Sequence, residues 1–168
     1  MNPSDNSFSD NPTEENLFAT PNKPQTQVDE PSVQAVDASK LVKRGGLIYE
    51  RDSETPFTGV MVKNHENRQK AIEATYKDGK QEGLAATWYE NGQKWSEATY
   101  KDGKREGQLT GWYENGQKWQ VATFKDGKKK GLMTEWHKNG KKSSEVTYKG
   151  DEEVSGTYWD EEGNEIKK

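Results

Sequence analysis

Binding of a metal ion by side-chain nitrogen or thiolate ligands would depend chiefly on two histidines, because the sequence contains no cysteine. His65 and His137 are three 24-residue repeats apart. If each repeat adds two strands at ~4.8 Å spacing, the two rings lie roughly 30 Å apart, too far to share one ion. Both histidines occupy the repeat position of Tyr89 and Tyr113. We therefore interpret them as aromatic replacements for tyrosine and predict no metal site and no cofactor.

Carboxylates recur at fixed repeat positions and could in principle form a general acid/base pair: Glu73, Glu82, Glu97, Glu106 and Glu145. Such a pair needs a cleft that separates the two pKa values, and a single-layer sheet offers little burial. The serines, among them Ser96 and Ser144, have no histidine close by in the sequence or across the predicted sheet. The segment "DGKREG" lacks the G-x-x-x-x-G-K-[ST] pattern of a phosphate loop. We predict that the protein is not an enzyme.

Tryptophan is the residue type with most capacity to bind something. The six tryptophans all follow Thr87, and five recur at two repeat positions: Trp88, Trp95, Trp112, Trp119 and Trp136. A row of indoles with a lysine and glutamate rim could bind a partner strand or stack on sugar rings. The alternative is that cross-strand aromatic pairs serve only to stabilise the sheet.

These residues belong to a repeat with a period of 24. Three full units are followed by a shorter one and preceded by a degenerate one; the units span about residues 49–73, 74–97, 98–121, 122–145 and 146–168. Atypical terminal units are expected of an array. Each unit holds two β-rich runs separated by "NG" and joined to the next unit by "KDG". The prediction is an all-β, extended antiparallel meander of hairpins.

The turns predict a register. A type I′ turn centred on Asn91-Gly92 would place Trp88 opposite Trp95. Across the second turn, a four-residue loop would place Lys101 opposite Glu106 and Trp95 opposite Trp112; a tighter Asp-Gly turn is the alternative. Since side chains alternate along a strand, both registers put the tryptophans on one face. The other face would carry Tyr89, Tyr113 and His137. The predicted turn glycines are Gly79, Gly92, Gly103, Gly116, Gly127 and Gly140.

Composition separates the repeats from the N-terminal segment. Hydrophobic residues make up 28% of the 168 and charged residues 32%. Residues 1–40 contain seven acidic residues and two lysines, a net charge of −5, together with five of the six prolines. We predict a disordered acidic leader over 1–40 and the array over 41–168; a short helix near residues 32–42 is a minor alternative.

The charge of the array bears on its partners. The remaining residues hold 23 basic and 22 acidic side chains, so the array has no basic field for nucleic acid. No apolar run is long enough for a membrane span. The N-terminus lacks the pattern of a secretory signal, which gives an expected cytoplasmic location. An export signal upstream of the first residue is the alternative.

The motif "YKDGKREG" resembles one half of a MORN repeat, "W-x-D-G-x-x-x-G". With "WYENGQKWSE" added, residues 45–168 are similar to the MORN-variant repeats common in bacterial proteins. The departures are Arg68 in place of the expected Asn-Gly, "KKKG" at 128–131, and "YKGDEEVSG" in the last unit. The resemblance implies a single twisted sheet of hairpins and supplies no catalytic motif. Some members are described as antitoxin-like.

These observations predict a non-enzymatic protein-interaction or scaffold module that binds through a sheet face or by strand addition at an edge. The first alternative, implied by the resemblance, is an antitoxin-like protein that neutralises a partner toxin. The second is a cell-surface glycan-binding repeat protein, suggested by the density of tryptophan and tyrosine.

Overall fold

The computed structural model describes residues 35–167, which form two sheets. Eleven strands make up the large sheet, in the order β1-β4-β5-β6-β7-β8-β9-β10-β11-β12-β13, and β2 pairs with β3 in a separate hairpin. A 3-10 turn, Ala38–Lys40, follows β1. The strands are β1 (Ala35–Asp37), β2 (Leu41–Arg44), β3 (Leu47–Glu50), β4 (Gly59–Asn64), β5 (Lys70–Lys77), β6 (Lys80–Trp88), β7 (Lys94–Lys101), β8 (Lys104–Trp112), β9 (Lys118–Lys125), β10 (Lys128–Trp136), β11 (Lys142–Lys149), β12 (Glu152–Trp159) and β13 (Glu165–Ile166).

The predicted antiparallel meander is confirmed from β4 to β13, where each strand pairs with the next one in the chain. The N-terminal boundary differs from the prediction. Ala35–Asp37 lie beside β4 in parallel register, with Val36 opposite Met61, so the predicted disordered leader extends too far at residues 35–40. Residues 1–34 lie outside the described part. Within the part described, the helix proposed near residues 32–42 is limited to the three-residue 3-10 turn.

The Asp-Gly turns are tight, two-residue turns. At Asp102 and Gly103 the φ angles are +50° and +78°, the values of a type I′ turn, and Lys101 pairs with Lys104. The predicted pairing of Lys101 with Glu106 is therefore wrong, and the tighter alternative is correct next to the turn. Each turn is also tied to the preceding hairpin, as in the bond from Gly103 N–H to the Gln81 carbonyl at 2.9 Å.

The Asn-Gly loops are longer than predicted. The amide of Tyr89 donates to the carbonyl of Gln93, and the amide of Gly92 donates to the carbonyl of Tyr89. Gly92 has a φ of +83°, whereas Asn91 keeps a negative φ. The loop is thus a turn of type I followed by a left-handed glycine, and the predicted type I′ turn is wrong. The physical reason is that the Asn91 side chain accepts a hydrogen bond from the Gln93 amide at 2.9 Å, which fixes a turn of its own.

Two irregularities in each unit reconcile these turns with the register. Beyond the Asp-Gly turn the pairing shifts to Ala98 opposite Leu109 and Ser96 opposite Gly111, the register predicted for the longer loop. Gly107, with a φ of +86°, lies in the bulge that absorbs the extra residues. The strand pair therefore follows the tight-turn register next to Asp102-Gly103 and the long-loop register beyond the bulge.

One face of the large sheet, which we call the core face, carries the apolar cluster. Ala98 pairs with Leu109 and Leu109 pairs with Ala122, so their side chains share this face. The cluster also contains Phe124 and Met133, with Tyr100 and Tyr148 packed against it. Small residues alternate with larger ones in neighbouring strands, which allows the side chains to fit together over a single sheet. The face that carries Glu97 and Thr110 is called the opposite face.

Candidate interaction surface

The tryptophans do not form the predicted column of paired indoles. In the structure Trp88 pairs with Lys94, Trp112 with Lys118 and Trp136 with Lys142. Thr87 pairs with Ser96, so one unpaired residue, Trp95, lies between the paired residues Lys94 and Ser96. The predicted pairing of Trp88 with Trp95 is wrong because the five-residue Asn-Gly loop ends in a bulge.

This bulge distributes the indoles over both faces of the sheet. Gly111 lies on the core face, two residues from Leu109, and a Cβ atom at Gly111 would come within 2.5 Å of the Trp119 indole. Trp119 therefore also lies over the core face. Trp112 follows Gly111 in a regular strand and projects from the opposite face. The prediction that all the tryptophans share one face is wrong, whereas their use as a binding surface stays a prediction.

Trp95 is the equivalent of Trp119 one unit earlier, and its surroundings differ at one position. Where Gly111 leaves room for the Trp119 indole, Thr87 places a side chain whose hydroxyl bonds to that of Ser96 at 2.6 Å. Trp95 is consequently turned outward and is 47% exposed. Its ring lies 6.4 Å from that of Tyr89, at an interplanar angle of 54°. Trp95 is the only exposed aromatic residue among residues 35–167.

The indoles on the opposite face are covered by lysine. The ammonium of Lys70 lies 5.1 Å from the ring centre of Trp88, and that of Lys94 lies 5.7 Å from the ring centre of Trp112. Lys94 is also paired with Glu97. Contacts of this kind contribute roughly 0.5–1 kcal/mol each at exposed sites. The half-buried Trp88 and Trp112 are therefore engaged within the sheet itself.

Tyr89, Tyr113 and His137, which were predicted to lie on the face away from the tryptophans, form a ladder of hydrogen bonds between consecutive hairpins. The Tyr89 hydroxyl donates to the carbonyl of Trp112 at 2.8 Å, and the Tyr113 hydroxyl donates to that of Trp136 at 2.7 Å. His137 Nε2 lies 2.9 Å from the carbonyl of Trp159. A carbonyl accepts, so this nitrogen carries the proton. Sequence reasoning placed these residues in one column but missed the bond, whose signal is a tyrosine 23 residues before a tryptophan.

His65 begins the same ladder, and the Asn-Gly loops run alongside it. His65 Nε2 lies 2.9 Å from the carbonyl of Trp88, which agrees with the interpretation of both histidines as replacements for tyrosine. In the loops, Asn67 donates to the carbonyl of Glu90 at 2.8 Å and Asn139 to that of Glu161 at 2.8 Å. No cluster of metal ligands is present in residues 35–167.

Burial affects the acidity of the ladder tyrosines. Burial of the Tyr89 phenol raises its pKa, and the nearby Glu114 carboxylate raises it further. The pKa of Tyr113 is raised by burial first and by the Glu135 carboxylate second. A shallow groove of about 460 Å³ lies between these two rings, bounded also by Glu114, Asn115 and Lys138. The groove is open and its polar groups do not converge on a point, so its geometry suits a contact rather than a reaction.

The repeated glutamates are used in the turns. Glu82 accepts a hydrogen bond from the amide of Asp102 at 2.8 Å, and Glu106 accepts one from the amide of Asp126 at 2.8 Å. The predicted turn glycines have positive φ at both kinds of loop: Gly79, Gly92, Gly103, Gly116, Gly127 and Gly140. Carboxylates and glycines thus fix one hairpin to the next. The predicted position of Glu106 was instead opposite Lys101, across a four-residue loop.

A family model, described as the MORN repeat variant, matches three consecutive stretches, residues 81–102, 105–126 and 129–149. Residues 81–149 therefore consist of three MORN-variant repeats. Each match contains an even-numbered strand, an Asn-Gly loop and the following odd-numbered strand, so one MORN-variant repeat corresponds to one of these hairpins. No curated protein matches the sequence. Among residues 35–167, no helix has the length and apolar character to cross a membrane.

Proposed function

We propose that this MORN-variant repeat protein is a non-enzymatic interaction module that binds another protein, with Trp95 as the anchor of its contact surface. The observation that carries the proposal is the outward indole of Trp95, next to the Tyr89 ring and on the array edge that also holds the Tyr89–Tyr113 groove. Exposed tryptophan and tyrosine are the residues that most often dominate the binding energy of an interface.

The histidines, the ladder tyrosines and the repeated glutamates have structural partners, which favours binding over catalysis. The ladder tyrosines and histidines donate to backbone carbonyls. The repeated glutamates accept from turn amides or pair with lysines. An acid/base pair requires carboxylates that face a shared substrate cavity. In residues 35–167 these carboxylates are instead distributed over four hairpins, and the two that share a hairpin, Glu82 and Glu97, have separate partners, the Asp102 amide and Lys94.

The test uses two identical substitutions one repeat apart. Trp95→Ala removes the exposed ring, and Trp119→Ala removes the ring that covers Gly111. Both variants and the unchanged chain are immobilised and exposed to a lysate of the source organism, and retained proteins are quantified. Unfolding of each variant is measured in parallel. We expect Trp95→Ala to lose one specific protein while its stability changes by less than about 1 kcal/mol.

Trp119→Ala should change the two measured quantities, partner retention and stability, in the opposite way. It should retain that protein at temperatures where it is folded, although its unfolding free energy falls by about 2 kcal/mol. Equal retention by all three chains would contradict the proposal. If the retained protein is toxic alone and neutralised by co-expression, the module is an antitoxin. Retention on cell-wall polysaccharide, lost in Trp95→Ala, would instead identify a glycan-binding function.

A further inference from the structure

Within residues 35–167, the outer edge of β12 is paired along only part of its length. Each of β6, β8 and β10 pairs with a neighbour on both sides. β12 pairs with β11 along its length, but on its other side only Tyr158 and Trp159 pair, with the two residues of β13. Within residues 35–167, no strand lies beside the outer edge of Val154–Thr157. The backbone N–H and C=O groups on such an edge are available to an added strand.

The internal strand pairs indicate which strand fits this place. The ladder bonds of Tyr113 to Trp136 and of His137 to Trp159 make Trp159 the equivalent of Trp136. Counting five residues back from each tryptophan gives Gly131 and Val154. In the complete units this position faces an aromatic residue, in the pairs Gly83 with Tyr100, Gly107 with Phe124 and Gly131 with Tyr148.

Val154 has no such aromatic partner, and it is 62% exposed, the most exposed of the large apolar side chains in residues 35–167. The strands that fill the equivalent place read "ATYK", "ATFK" and "VTYK". An added strand that alternates a small residue, threonine and an aromatic residue would repeat these contacts. Its aromatic ring would cover Val154.

Charge determines which such strand is favoured. Residues 150–167 carry seven acidic side chains, Asp151, Glu152, Glu153, Asp160, Glu161, Glu162 and Glu165, and one lysine, Lys167. The preceding unit, 122–145, carries seven lysines and three acidic residues. The acidic end attracts a basic strand and repels a second acidic one, which disfavours pairing of β12 with β12 of a second copy.

We propose that the Val154–Thr157 edge of β12 binds a basic, extended segment of a partner protein by strand addition. This inference rests on the proposed interaction function and assigns it a second contact, separate from Trp95. Main-chain hydrogen bonds supply the attraction, the aromatic contact with Val154 sets the register, and the surrounding carboxylates select for lysine or arginine.

The first experiment titrates the full, 15N-labelled chain with a capped peptide, VATFKDGKKK, the sequence of Val121–Lys130. Amide shifts are expected in residues 152–159 and in β13. The same peptide with its four lysines replaced by glutamate should bind at least about tenfold more weakly, because its charge is reversed. Shifts elsewhere in the array but none in β12, or equal binding of both peptides, would overturn the proposal.

A backbone control separates strand addition from a side-chain contact. In an antiparallel pair only alternate residues direct their N–H toward a given neighbour. One peptide is N-methylated at its alanine and phenylalanine, and another at its valine and threonine. Strand addition predicts that one of them loses about tenfold in affinity while the other changes by less than about threefold. Equal effects of the two modifications would overturn strand addition.

Two variants complete the design. Glu152→Lys should weaken the peptide by about threefold, a value typical of one exposed charge pair. Trp95→Ala should leave peptide binding unchanged, so a failure here and a failure of the Trp95 contact are distinguishable. Sedimentation of the chain alone supplies a further check: a dimer that the peptide dissociates would overturn the proposal in favour of a second copy as the occupant.

Discussion

Replacing Tyr113 with phenylalanine tests whether the ladder holds consecutive hairpins together. The substitution removes one atom, the hydroxyl that donates to the carbonyl of Trp136 at 2.7 Å, and leaves the ring in place. The donor lies in one Asn-Gly loop, and the acceptor ends the even-numbered strand of the next hairpin. The change therefore acts on the joint between two repeats and not on either hairpin alone.

The expected loss follows from the environment of the bond. A net intramolecular hydrogen bond contributes about 0.5–1.5 kcal/mol, and the bond is partly buried, so we expect a loss of about 1 kcal/mol. For a domain of this size that corresponds to a fall in Tm of about 3–5 °C. A repeat array can also open locally, so hydrogen exchange of the amides near Trp136 should increase more than exchange near Trp88.

The control is Tyr148→Phe, because the Tyr148 hydroxyl makes no hydrogen bond within residues 35–167, although its ring packs against the core cluster. Thermal unfolding of both variants is measured at pH 7 by circular dichroism. Equal Tm values for the two variants, or a Tyr113→Phe protein as stable as the unchanged chain, would refute the assignment of a structural role to this bond.

Three other outcomes follow from the structure. Burial raises the pKa of Tyr89 and of Tyr113, so the folded state keeps these protons to higher pH than the unfolded state does. The stability that this difference contributes should be fully present below pH about 10 and should fall as the pH rises further. Urea unfolding should show a smaller fall in Tyr113→Phe than in the unchanged chain. Gly111→Thr places a Cβ atom within 2.5 Å of the Trp119 indole, so it should lower the unfolding free energy by about 2 kcal/mol and shift tryptophan fluorescence to the red. The reverse change, Thr87→Gly, should shift the fluorescence to the blue, because the Trp95 ring can then pack against the sheet. Glu106→Ala removes the acceptor of the Asp126 amide and should cost about 1 kcal/mol in unfolding free energy, whereas Glu114→Ala, an exposed loop position, should cost less than about 0.5 kcal/mol; equal losses would contradict the turn role.

The hairpin order was predictable because the repeat carries its turn signals in every unit. Asp102-Gly103 and Asn91-Gly92 mark the two ends of the strands, and the alternation between them excludes helices. The strand bounds follow from these dipeptides to within a residue or two. The separate β2-β3 hairpin and the parallel β1 strand lie where the repeat is degenerate, and no pattern at Ala35–Asp37 indicates pairing with β4.

The face of the sheet on which each tryptophan lies was not predictable from the alternation of side chains alone. A single extra residue reverses every side chain beyond it, and the bulge at Trp95 and Trp119 is such a residue. The signal was present in Asn91, whose side chain can close a turn without a positive φ. The difference between the exposed Trp95 and the half-buried Trp119 depends on Thr87 and Gly111. These two residues occupy the same repeat position, so a comparison of the units could have found it.

We propose that Trp95 anchors a protein contact while the other indoles stabilise the sheet. The most direct measurement is the affinity of the captured partner for the unchanged chain and for Trp95→Ala, both shown to be folded. If Trp95 is the anchor, Trp95→Ala should lose about 2 kcal/mol or more of binding free energy, roughly 30-fold in Kd, as for a tryptophan that dominates an interface. An unchanged Kd would contradict it.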